Sequence, residues 1–371
     1  MVDLALIGAG RIGRITARAL VDRGFNILIL DREESILKEL SAYGLKVSKV
    51  DIRELSLLNE YLRGVDIVAV ALPGSIAYNC IKALLKMGKS IVDVSFYPED
   101  FKGLEEYAIK NKVFYIPDAG IAPGLSNILV GRSLRKLGSA DNVGIFVGGI
   151  SYSPDNLLGL ALTWSPEDLL SQYVNKARII KNHRIMYVDP LETTGVISIP
   201  KLGTYEYFVS DGLRTLLRLR KFVKEMAEYT LRYPGHIQKM KFLRDLHLLS
   251  NEVVKVNGSS IRAIKLLASL LSRIITNTYM DRLILYVKAV REENKVEYLL
   301  HKTYDRKNKM SALASATAYV FATIIEMAYN GYMRNYGITT LEEIGFNDEL
   351  FKIFTRIVSA YRIKVREIKS P

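Results

Sequence analysis

Two periodicities of apolar residues divide the chain, and the first occupies its N-terminal third. Short apolar runs such as Val2–Ile7 and Asp66–Ala71 are typical of buried strands, whereas Ile12–Val21 repeats its apolar positions at helical spacing. Strand-like and helical segments continue to alternate up to about residue 138. Because repeated strand–helix–strand units form right-handed crossovers, this pattern predicts a doubly wound parallel sheet of the α/β class.

A different pattern begins near residue 140. Short strand-like runs alternate there with helical segments such as 211–222, and two long strands are predicted at Asp281–Glu292 and Val296–Lys302. Helical spacing returns at 259–275. The pattern therefore predicts a second, α+β domain whose sheet is mixed or mostly antiparallel and carries helices on one face.

Composition narrows the class of protein. Of the 371 residues, 49% are hydrophobic and 25% are charged, which is typical of globular proteins. The sequence has no uncharged apolar run of about 18 residues, and it enters a strand without a preceding basic, cleavable segment. We therefore expect a cytoplasmic protein with no membrane partner. Abundant Lys, Arg, Ile and Tyr with scarce Gln also indicate a thermophilic protein.

The net charge of +13 raises the question of an anionic partner. Basic residues are spread along the chain among acidic ones, and no basic motif is interleaved with aromatic residues as in RNA-binding proteins. We therefore expect a pocket for small anions and no nucleic-acid partner. Cys80, the only cysteine, lies in a helical segment and is predicted to be a buried structural thiol. The histidines lack metal-ligand spacing, so no metal site is predicted.

A glycine-rich motif follows the first predicted strand and opens the first predicted helix. Gly8, Gly10 and Gly13 form the pattern G-x-G-x-x-G. In this pattern the first glycine makes a tight turn, the second admits a pyrophosphate and the third packs the helix against the strand. Amides at the helix start also favour the diphosphate. The sequence therefore predicts a dinucleotide site that includes the intervening residues Ala9, Arg11 and Ile12.

The ends of the next strands refine this cofactor prediction. Asp31 closes the second strand, where a carboxylate accepts hydrogen bonds from the ribose hydroxyls and repels a 2′-phosphate, so NAD is favoured over NADP. Arg32 could soften that preference by pairing with a phosphate. Asp51 is a candidate for the adenine side, with a plain surface carboxylate as the alternative. Contacts to the nicotinamide half are predicted for Ala71, Leu72 and Pro73.

Two polar loops follow the fifth and sixth predicted strands. Asp93 ends the fifth strand, and Asp118 opens the loop after the sixth. Because ligands bind outside the carboxyl ends of strands in open parallel sheets, we expect both loops to lie beside the nicotinamide, with Gly120 contacting the cofactor. The two carboxylates are candidates for proton transfer, and the alternative is that they only cap turns.

Several stretches of the chain recur together in one family. They are ALPG (Ala71–Gly74), DVSF (Asp93–Phe96), DAGIAPGLSNILVG (Asp118–Gly131), TWSPEDLL (Thr163–Leu170), SDGLRTLL (Ser210–Leu217), TLRYPGH (Thr230–His236) and MSALASATAY (Met310–Tyr319). On these stretches the chain resembles the saccharopine reductase superfamily, and within it most closely the L-lysine 6-dehydrogenases. The resemblance extends over most of the chain, to about residue 330.

The resemblance implies both a fold and a reaction. Members have a Rossmann domain followed by a second α+β domain with an open mixed sheet, which usually mediates homodimer formation. They use the nicotinamide to oxidise a C–N bond or to reduce an imine. In lysine 6-dehydrogenases the ε-amine carbon gives up a hydride to NAD, and hydrolysis yields allysine, which cyclises to piperideine-6-carboxylate. An NAD-dependent amino-acid dehydrogenase is therefore implied.

Some residues of these stretches are predicted to contact the amino-acid substrate. Saccharopine reductases typically carry Asp before the Pro-Gly of the Asp118–Gly131 stretch, whereas this chain has Ala122, as lysine 6-dehydrogenases do. Arg232 could clamp an α-carboxylate, with Arg214 as a second candidate, and either could instead pair with a structural carboxylate. His236 is a third candidate for proton transfer, or a buried structural histidine. Further predicted substrate contacts are Ser95, Phe96, Trp164 and Thr230.

The predicted division places the Rossmann domain at 1–122, the substrate-binding and dimerisation domain at 123–309, and a helical tail at 336–371. A helix within 310–335, rich in small residues, is expected to return to the first domain. Two alternatives to lysine oxidation stay open. One is a saccharopine- or carboxyspermidine-type reductase that forms C–N bonds, and the other is a non-catalytic NAD-binding protein on the same fold.

Overall fold

The chain forms two compact units. The computed structural model describes residues 3–153, 158–161, 166–275, 280–333 and 335–368. The first unit comprises residues up to 132 together with 314–364, and the second comprises 133–313 together with the residues from 365 onward. Each unit carries its own large sheet.

The N-terminal part of the chain alternates strands and helices, as its periodicity predicts. Its strands are β1 (Leu4–Ile7), β2 (Ile27–Asp31), β3 (Lys46–Lys49), β4 (Ile67–Val70), β5 (Ser90–Asp93) and β6 (Phe114–Ile116). Its helices are α1 (Arg11–Val21), α2 (Glu34–Ala42), α3 (Leu55–Tyr61), α4 (Gly74–Lys86), α5 (Lys102–Lys110) and α6 (Leu125–Leu137).

The remainder of the chain is richer in strands. Its strands are β7 (Ala140–Ser151), β8 (Ala177–Lys181), β9 (Arg184–Val188), β10 (Thr194–Ile199), β11 (Gly203–Ser210), β12 (Val223–Arg232), β13 (Val253–Val256), β14 (Ser259–Arg262), β15 (Asp281–Arg291), β16 (Asn294–Thr303), β17 (Gly337–Ile338) and β18 (Arg366–Ile368). Its helices are α7 (Pro166–Ser171), the 3-10 helix Arg214–Lys221, α8 (His236–Asp245), α9 (Ala263–Ile274), α10 (Ala312–Tyr329), α11 (Glu342–Phe346) and α12 (Asp348–Ala360).

The first unit is built on a parallel sheet. Among the described residues this sheet has seven strands in the order β17-β6-β5-β4-β1-β2-β3. β1 and β4 are apolar and buried at every position, as expected for parallel strands with both faces covered. The chain order reverses between β1 and β4, and ligands bind outside the carboxyl ends of the strands at such a point. The loops that follow β1, β4, β5 and β6 are therefore the place where a ligand is expected to bind.

Helix α10 has the length and the mean hydropathy of a membrane span, judged by length and composition alone. However, 78% of that 18-residue window is buried inside the protein. From residue 314 onward the helix belongs to the first unit, where Ala318 O accepts a 3.3 Å hydrogen bond from Thr16 Oγ1. Glu326 also pairs with Arg23 through two bonds of 2.6 Å. Packing in the first unit therefore explains the apolar composition of α10.

The second unit is built on a mixed sheet. Its strands run in the order β10-β11-β12-β7-β15-β16-β18, and the β8–β9 hairpin joins the edge of β12. β12 and β7 are parallel, whereas β7 and β15 are antiparallel. Along β11, Phe208 packs into a core cluster with residues of α7, α8 and α9, and Tyr207 packs against Phe146. The predicted fold class, a Rossmann-type parallel sheet plus an α+β domain with a mixed sheet, is confirmed.

The structure differs from the predicted elements at several places in the second half of the chain. The predicted helix 211–222 is a 3-10 helix over Arg214–Lys221, and its first residue, Arg214, has a left-handed φ of 50°, outside the range of any right-handed helix. Strand β12 was not predicted. The predicted helix 259–275 begins at Ala263, because residues 259–262 pair with β13. The predicted helical tail 336–371 contains α11 and α12, and it also includes β17, which pairs with β6, while residues up to 364 belong to the first unit.

Candidate active site

The glycine loop between β1 and α1 shows a different constraint at each glycine. Gly8 has a φ of 96°, and a Cβ atom there would lie 2.4 Å from the carbonyl oxygen of Ala71. At Gly13 a Cβ atom would lie 1.8 Å from the Gly8 carbonyl oxygen. At Gly10 it would meet no described protein atom within 4 Å. Two glycines are therefore required by packing, whereas none of the described atoms requires a glycine at Gly10.

The first turn of α1 completes this loop. Gly10 is its N-cap residue, and none of the described side chains caps the helix. An uncapped helix N-terminus beside a bare backbone suits a diphosphate, which accepts bonds from amides and is attracted by the helix dipole. The loop formed by Gly8, Ala9, Gly10, Arg11, Ile12 and Gly13 therefore fits the predicted dinucleotide.

Asp31, at the end of β2, is bonded to this loop. Its Oδ2 accepts a 2.5 Å hydrogen bond from the Ala9 amide, and its Oδ1 accepts one of 2.8 Å from the Glu33 amide. Each carboxylate oxygen has a second lone pair. Asp31 thus holds the loop in shape and retains acceptor capacity for ribose hydroxyls.

Asp51, the candidate for the adenine side, is engaged by a neighbour. Arg53 Nε donates to Asp51 Oδ1 at 2.9 Å, and Arg53 Nη2 donates to Oδ2 at 2.5 Å. These bonds and the Arg53 amide hold the pKa of the Asp51 carboxyl well below its usual range, and the nearby Arg32 charge adds to the effect. The arrangement matches the surface-carboxylate alternative more closely than a base-binding role.

The loops after β4 and β5 are bonded to each other. Ser95 Oγ accepts a 3.1 Å hydrogen bond from the Leu72 amide. A Cβ atom at Gly74 would lie 2.0 Å from the carbonyl oxygen of Phe96, so the two loops touch through their backbones. Ser95 is buried and used by this contact, whereas the Phe96 side chain is 48% exposed. Of these two predicted substrate contacts, Phe96 presents the more accessible surface.

Asp93 is fully buried beneath these loops. Its Oδ1 accepts a 2.9 Å hydrogen bond from the Ser95 amide, and its Oδ2 accepts one of 3.2 Å from Tyr115 Oη. Tyr115 Oη is in turn hydrogen-bonded to Tyr97 Oη. Burial, reinforced by the charge of Asp118, raises the pKa of Asp93 to about 7. Asp93 is therefore a carboxyl group that exchanges its proton near neutral pH.

Asp118 opens the loop between β6 and α6, and its backbone is left-handed, with φ of 59°. The amide after it, of Ala119, donates 2.8 Å to the Asp93 carbonyl oxygen, which joins the loops that follow β5 and β6. A Cβ atom at Gly124 would lie 2.1 Å from the Gly120 carbonyl oxygen, so this loop folds tightly on itself. The two aspartates lie close enough for the charge of one to shift the pKa of the other.

Three further predicted or neighbouring residues lie in or near the loop between β6 and α6. Asn127 Oδ1 accepts a 3.0 Å hydrogen bond from the Gly124 amide, which anchors the start of α6. Ala122, the position where saccharopine reductases typically carry Asp, is partly exposed. Burial raises the pKa of the nearby Cys80 thiol to about 12, so this cysteine stays protonated, in keeping with the predicted structural thiol.

In the second unit, Arg232 is a buried guanidinium. It is 3% exposed and packs over the rings of Tyr173 and Phe208, whose centroids lie 5.8 Å and 5.5 Å from Cζ. Its Nε donates to Tyr173 Oη at 2.9 Å, and its Nη1 donates to the Leu231 carbonyl oxygen at 2.8 Å. No acidic side chain among the described residues pairs with it.

The acidic residue that faces Arg232 on the neighbouring strand is hydrogen-bonded to other groups. Glu206 is its register partner on β11. The Glu206 carboxylate accepts hydrogen bonds of 2.9 Å and 3.0 Å from the amides of Gly235 and Ile237, at the start of α8. Arg232 is therefore a buried cation without a carboxylate partner in the described structure. Burial of an unpaired charge lowers the stability of the folded protein, and a bound anion would offset that loss.

His236 is 2% exposed, and both of its ring nitrogens are bonded. Nδ1 lies 2.8 Å from the Leu158 carbonyl oxygen, and Nε2 lies 2.8 Å from Tyr173 Oη. Burial and the Arg232 charge lower the pKa of His236 to about 3. The predicted role in proton transfer at neutral pH is therefore not supported by this geometry, because the ring has no nitrogen left for a substrate proton.

Thr230, another predicted substrate residue of this unit, takes part in a second network. Thr230 Oγ1 donates to Ser210 Oγ at 2.9 Å, and Ser210 Oγ donates to Glu228 Oε1 at 3.4 Å. A Cβ atom at Gly212 would lie 1.8 Å from Glu228 Oε1, so that glycine makes room for the carboxylate. Arg214 is buried at the start of the 3-10 helix. Trp164 lies outside the described residues.

The structure thus brings together two groups of predicted residues, each within its own unit. In the first unit the glycine loop, Asp31, Ser95, Asp93 and Asp118 lie along the carboxyl edge of one sheet. In the second unit Arg232 and His236 are joined through Tyr173, which the sequence analysis did not single out. Tyr173 lies 59 positions from Arg232 in the chain, so no local pattern marks it. Within the described residues, no group of three or more His, Cys, Asp or Glu side chains could hold a metal ion.

Comparison with family models identifies the chain. Residues 4–116 match the model described as the saccharopine dehydrogenase NADP binding domain. Residues 120–361 match the saccharopine dehydrogenase C-terminal domain. The chain therefore belongs to the saccharopine dehydrogenase family, and its first unit carries that family's NAD(P)-binding domain.

Curated relatives agree with this assignment. The chain is 23% identical over 198 residues to saccharopine dehydrogenase [NADP(+), L-glutamate-forming] of Schizosaccharomyces pombe, covering 51% of this chain and 44% of the relative. The same enzyme of Saccharomyces cerevisiae is 21% identical over 231 residues, covering 57% and 50%. The chain thus spans about half the length of these relatives.

The structure of apo saccharopine dehydrogenase (L-Glu forming) from Saccharomyces cerevisiae superimposes with a TM-score of 0.80. It covers 99% of both chains, at 16% sequence identity. This likeness shows that the two proteins share a fold.

Proposed function

We propose that this protein is an NAD(P)-dependent amino-acid dehydrogenase that oxidises the ε-amine carbon of L-lysine. Hydride loss would leave an imine at that carbon, and attack by water would release ammonia and give allysine, which cyclises to piperideine-6-carboxylate. The observation that carries the proposal is Arg232, a buried guanidinium without an acidic partner among the described residues. A binding site for a substrate carboxylate accounts for such a cation, since planar guanidinium binds carboxylates bidentately.

The first unit supplies the cofactor-binding part of the proposal. The residues of the glycine loop bind the diphosphate through backbone amides, because Gly10 leaves the backbone open and the first turn of α1 has no side-chain cap in the described structure. When bound, the nicotinamide accepts the hydride from the amine carbon. The protein contributes orientation and charge control around that transfer.

Asp118 and Asp93 are the proposed proton-handling pair. An ammonium group must lose a proton before its carbon can release hydride, and a carboxylate both binds the ammonium and accepts that proton. Asp118 is the proposed acceptor. Asp93 is the proposed positioning residue, because its Oδ1 accepts the Ser95 amide and holds the loop after β5.

The proposed cofactor is NAD, and NADP is the alternative. A carboxylate at Asp31 favours a free 2′-hydroxyl over a 2′-phosphate. The exposed Arg32, beside it in sequence, is a candidate partner for a phosphate. The matching domain model and the names of the two yeast relatives specify NADP. NAD and NADP are therefore both tested as cofactors with lysine as the substrate.

A reductase that forms a C–N bond is the second candidate function. It is favoured by the names of the relatives, which are saccharopine dehydrogenases. Ala122 argues for the simpler substrate, because the loop lacks the carboxylate that saccharopine reductases typically carry there. Saccharopine is accordingly the comparison substrate.

Replacement of Arg232 tests the carboxylate site. Arg232→Lys keeps the positive charge and removes the planar fork, so the KM for L-lysine should rise about 100-fold, equivalent to ~3 kcal/mol. The dissociation constant for the dinucleotide, measured by calorimetry, should stay unchanged. The exposed Arg63→Lys is the matched control. An unchanged KM for lysine in Arg232→Lys would contradict the proposed role of Arg232.

A further inference from the structure

A chain of three hydrogen bonds ends on Arg232. Arg232 Nε lies 2.9 Å from Tyr173 Oη, Tyr173 Oη lies 2.8 Å from His236 Nε2, and His236 Nδ1 lies 2.8 Å from the Leu158 carbonyl oxygen. All three side chains are buried, with exposures of 3%, 1% and 2% in that order. The chain joins three separate segments of the second unit.

The chemistry of the groups fixes the direction of every bond. A carbonyl oxygen only accepts, so His236 carries its proton on Nδ1 and donates it to Leu158. Nε2 is then an acceptor, and the Tyr173 hydroxyl must donate to it. The hydroxyl therefore presents only its lone pairs to Arg232, whose Nε–H donates to it. Because burial raises the pKa of the Tyr173 phenol, that proton stays in place at neutral pH.

These bonds determine which edge of the guanidinium remains for a ligand. A carboxylate can bind the side edge, formed by Nε and one Nη, or the end, formed by the two Nη atoms. Nε is taken by Tyr173, and one Nη1 proton is taken by the Leu231 carbonyl oxygen. The rings of Tyr173 and Phe208 lie beside the guanidinium, with their centroids 5.8 Å and 5.5 Å from Cζ. Only the end of the group is left for a carboxylate.

We propose that Tyr173 and His236 are positioning residues that lock Arg232 so that it binds the α-carboxylate of the amino-acid substrate end-on. The lock sets specificity, since it favours substrates with an α-carboxylate over amines that lack one. That the ligand of Arg232 is a substrate carboxylate rests on the proposed function, whereas the hydrogen-bond chain itself does not. His236 thereby acquires a role other than the proton transfer expected from the sequence.

Steady-state kinetics of Tyr173→Phe test the specificity. The variant removes one hydroxyl and keeps the ring beside Arg232. We expect the KM for L-lysine to rise about tenfold with kcat within about twofold. L-Lysinamide, in which a neutral amide replaces the carboxylate, should show an unchanged KM, or an unchanged inhibition constant. Equal losses for lysine and lysinamide would overturn the proposal, because they would indicate general damage to the fold.

A matched pair at His236 separates the two ring nitrogens. Glutamine can place an acceptor near the Nε2 position, whereas asparagine can keep the donor to Leu158 and lose that acceptor. His236→Gln should therefore retain a KM for lysine near the wild-type value, and His236→Asn should resemble Tyr173→Phe. Thermal unfolding confirms that both variants fold. A wild-type KM in a folded His236→Asn would contradict the chain.

Nuclear magnetic resonance of protein labelled with 15N-histidine tests the chain without any turnover. The account expects a single His236 tautomer protonated at Nδ1, with the Nε2 resonance displaced in Tyr173→Phe. The other histidines, His183, His247 and His301, serve as internal references. A proton on Nε2 of His236 would overturn the proposal. If wild type turned over no amino acid, the proposed function would fail, while this measurement would still decide the hydrogen-bond chain.

Discussion

At the residue scale, burial decides what the predicted proton-transfer groups can do. Asp93, Asp118 and His236 looked equivalent in the sequence, as polar side chains placed near predicted ligand sites. The structure separates them, because His236 has both nitrogens bonded and a lowered pKa, while Asp93 has a pKa raised to about 7. A single sequence carries no information on the depth of burial of an individual polar side chain, so this distinction could not be predicted.

Asp93→Asn should change the pH dependence of stability. The folded protein holds the Asp93 proton up to about pH 7, whereas a free aspartate loses it near 3.8. The stability from this group is fully present below pH 3.8 and is lost as the pH rises through about 7. Asparagine has no such proton to lose. The unfolding free energy of the variant relative to wild type should therefore increase with pH, by up to about 1.4 kcal/mol per unit.

Denaturant unfolding at pH 5, 6, 7 and 8 measures this difference. His236 acts in the opposite direction, because its lowered pKa costs stability as the pH falls below 6.5, so the comparison with wild type is the informative quantity. The exposed Glu60→Gln reports the background effect of removing one carboxylate. A difference between Asp93→Asn and wild type that stays flat with pH would contradict the raised pKa of Asp93.

At the element scale, the loop between β1 and α1 was predicted correctly because its constraints are local. The turn at Gly8 and the close contact at Gly13 are determined by residues within the same strand–helix unit and by the adjacent β4 end. In contrast, β12 has the sequence VKEMAEYTLR, in which Glu228 and Arg232 are buried. Charged residues in this central strand interrupt the alternation of apolar and polar residues that predicts a strand. Their burial is stable only when residues distant in the chain supply hydrogen-bond partners.

The β13–β14 hairpin carries a local sequence signal of its own. Its turn contains Asn257 and Gly258, both with positive φ, and Asn-Gly is the strongest short hairpin signal. The helical spacing of α9 dominated the interpretation of that segment. Tyr173 is a different case, because its partners Arg232 and His236 are distant in the chain and no periodicity connects them.

Alanine replacements in the glycine loop should separate folding from binding. Gly13→Ala places a Cβ atom 1.8 Å from a backbone oxygen and should lower the unfolding free energy by about 3 kcal/mol or more. The added Cβ of Gly10→Ala meets no atom of the described residues within 4 Å, so the thermal midpoint of this variant should match wild type. Its dissociation constant for the dinucleotide should rise about tenfold or more, because the added methyl occupies the diphosphate approach.

Differential scanning calorimetry and titration calorimetry measure the two effects in parallel. Gly24→Ala is not a suitable control, because its φ of 89° strains any other residue. Gly10 and Gly13 serve as controls for each other. Equal dinucleotide affinity in Gly10→Ala and wild type would contradict the assignment of this loop to the diphosphate.

At the scale of the whole molecule, the fold class and the family follow from the sequence, while the reaction does not. The alternating periods predicted the parallel sheet, and the later strands predicted a mixed one, as the structure confirms. The boundaries were less predictable, because residues 314–364 belong to the first unit although they follow residues 133–313 of the second unit in the chain. Membership of the saccharopine dehydrogenase family leaves open which amino compound is oxidised and which dinucleotide accepts the hydride.

The most direct measurement is the absorbance of reduced nicotinamide in purified wild-type protein supplied with L-lysine. NAD and NADP are compared, and saccharopine replaces lysine in parallel samples. The account predicts reduced cofactor with lysine, faster with NAD than with NADP, and little with saccharopine. Turnover of saccharopine but not of lysine would contradict the central claim and favour the C–N bond-forming reaction. Binding of dinucleotide without turnover of either compound would contradict both reactions.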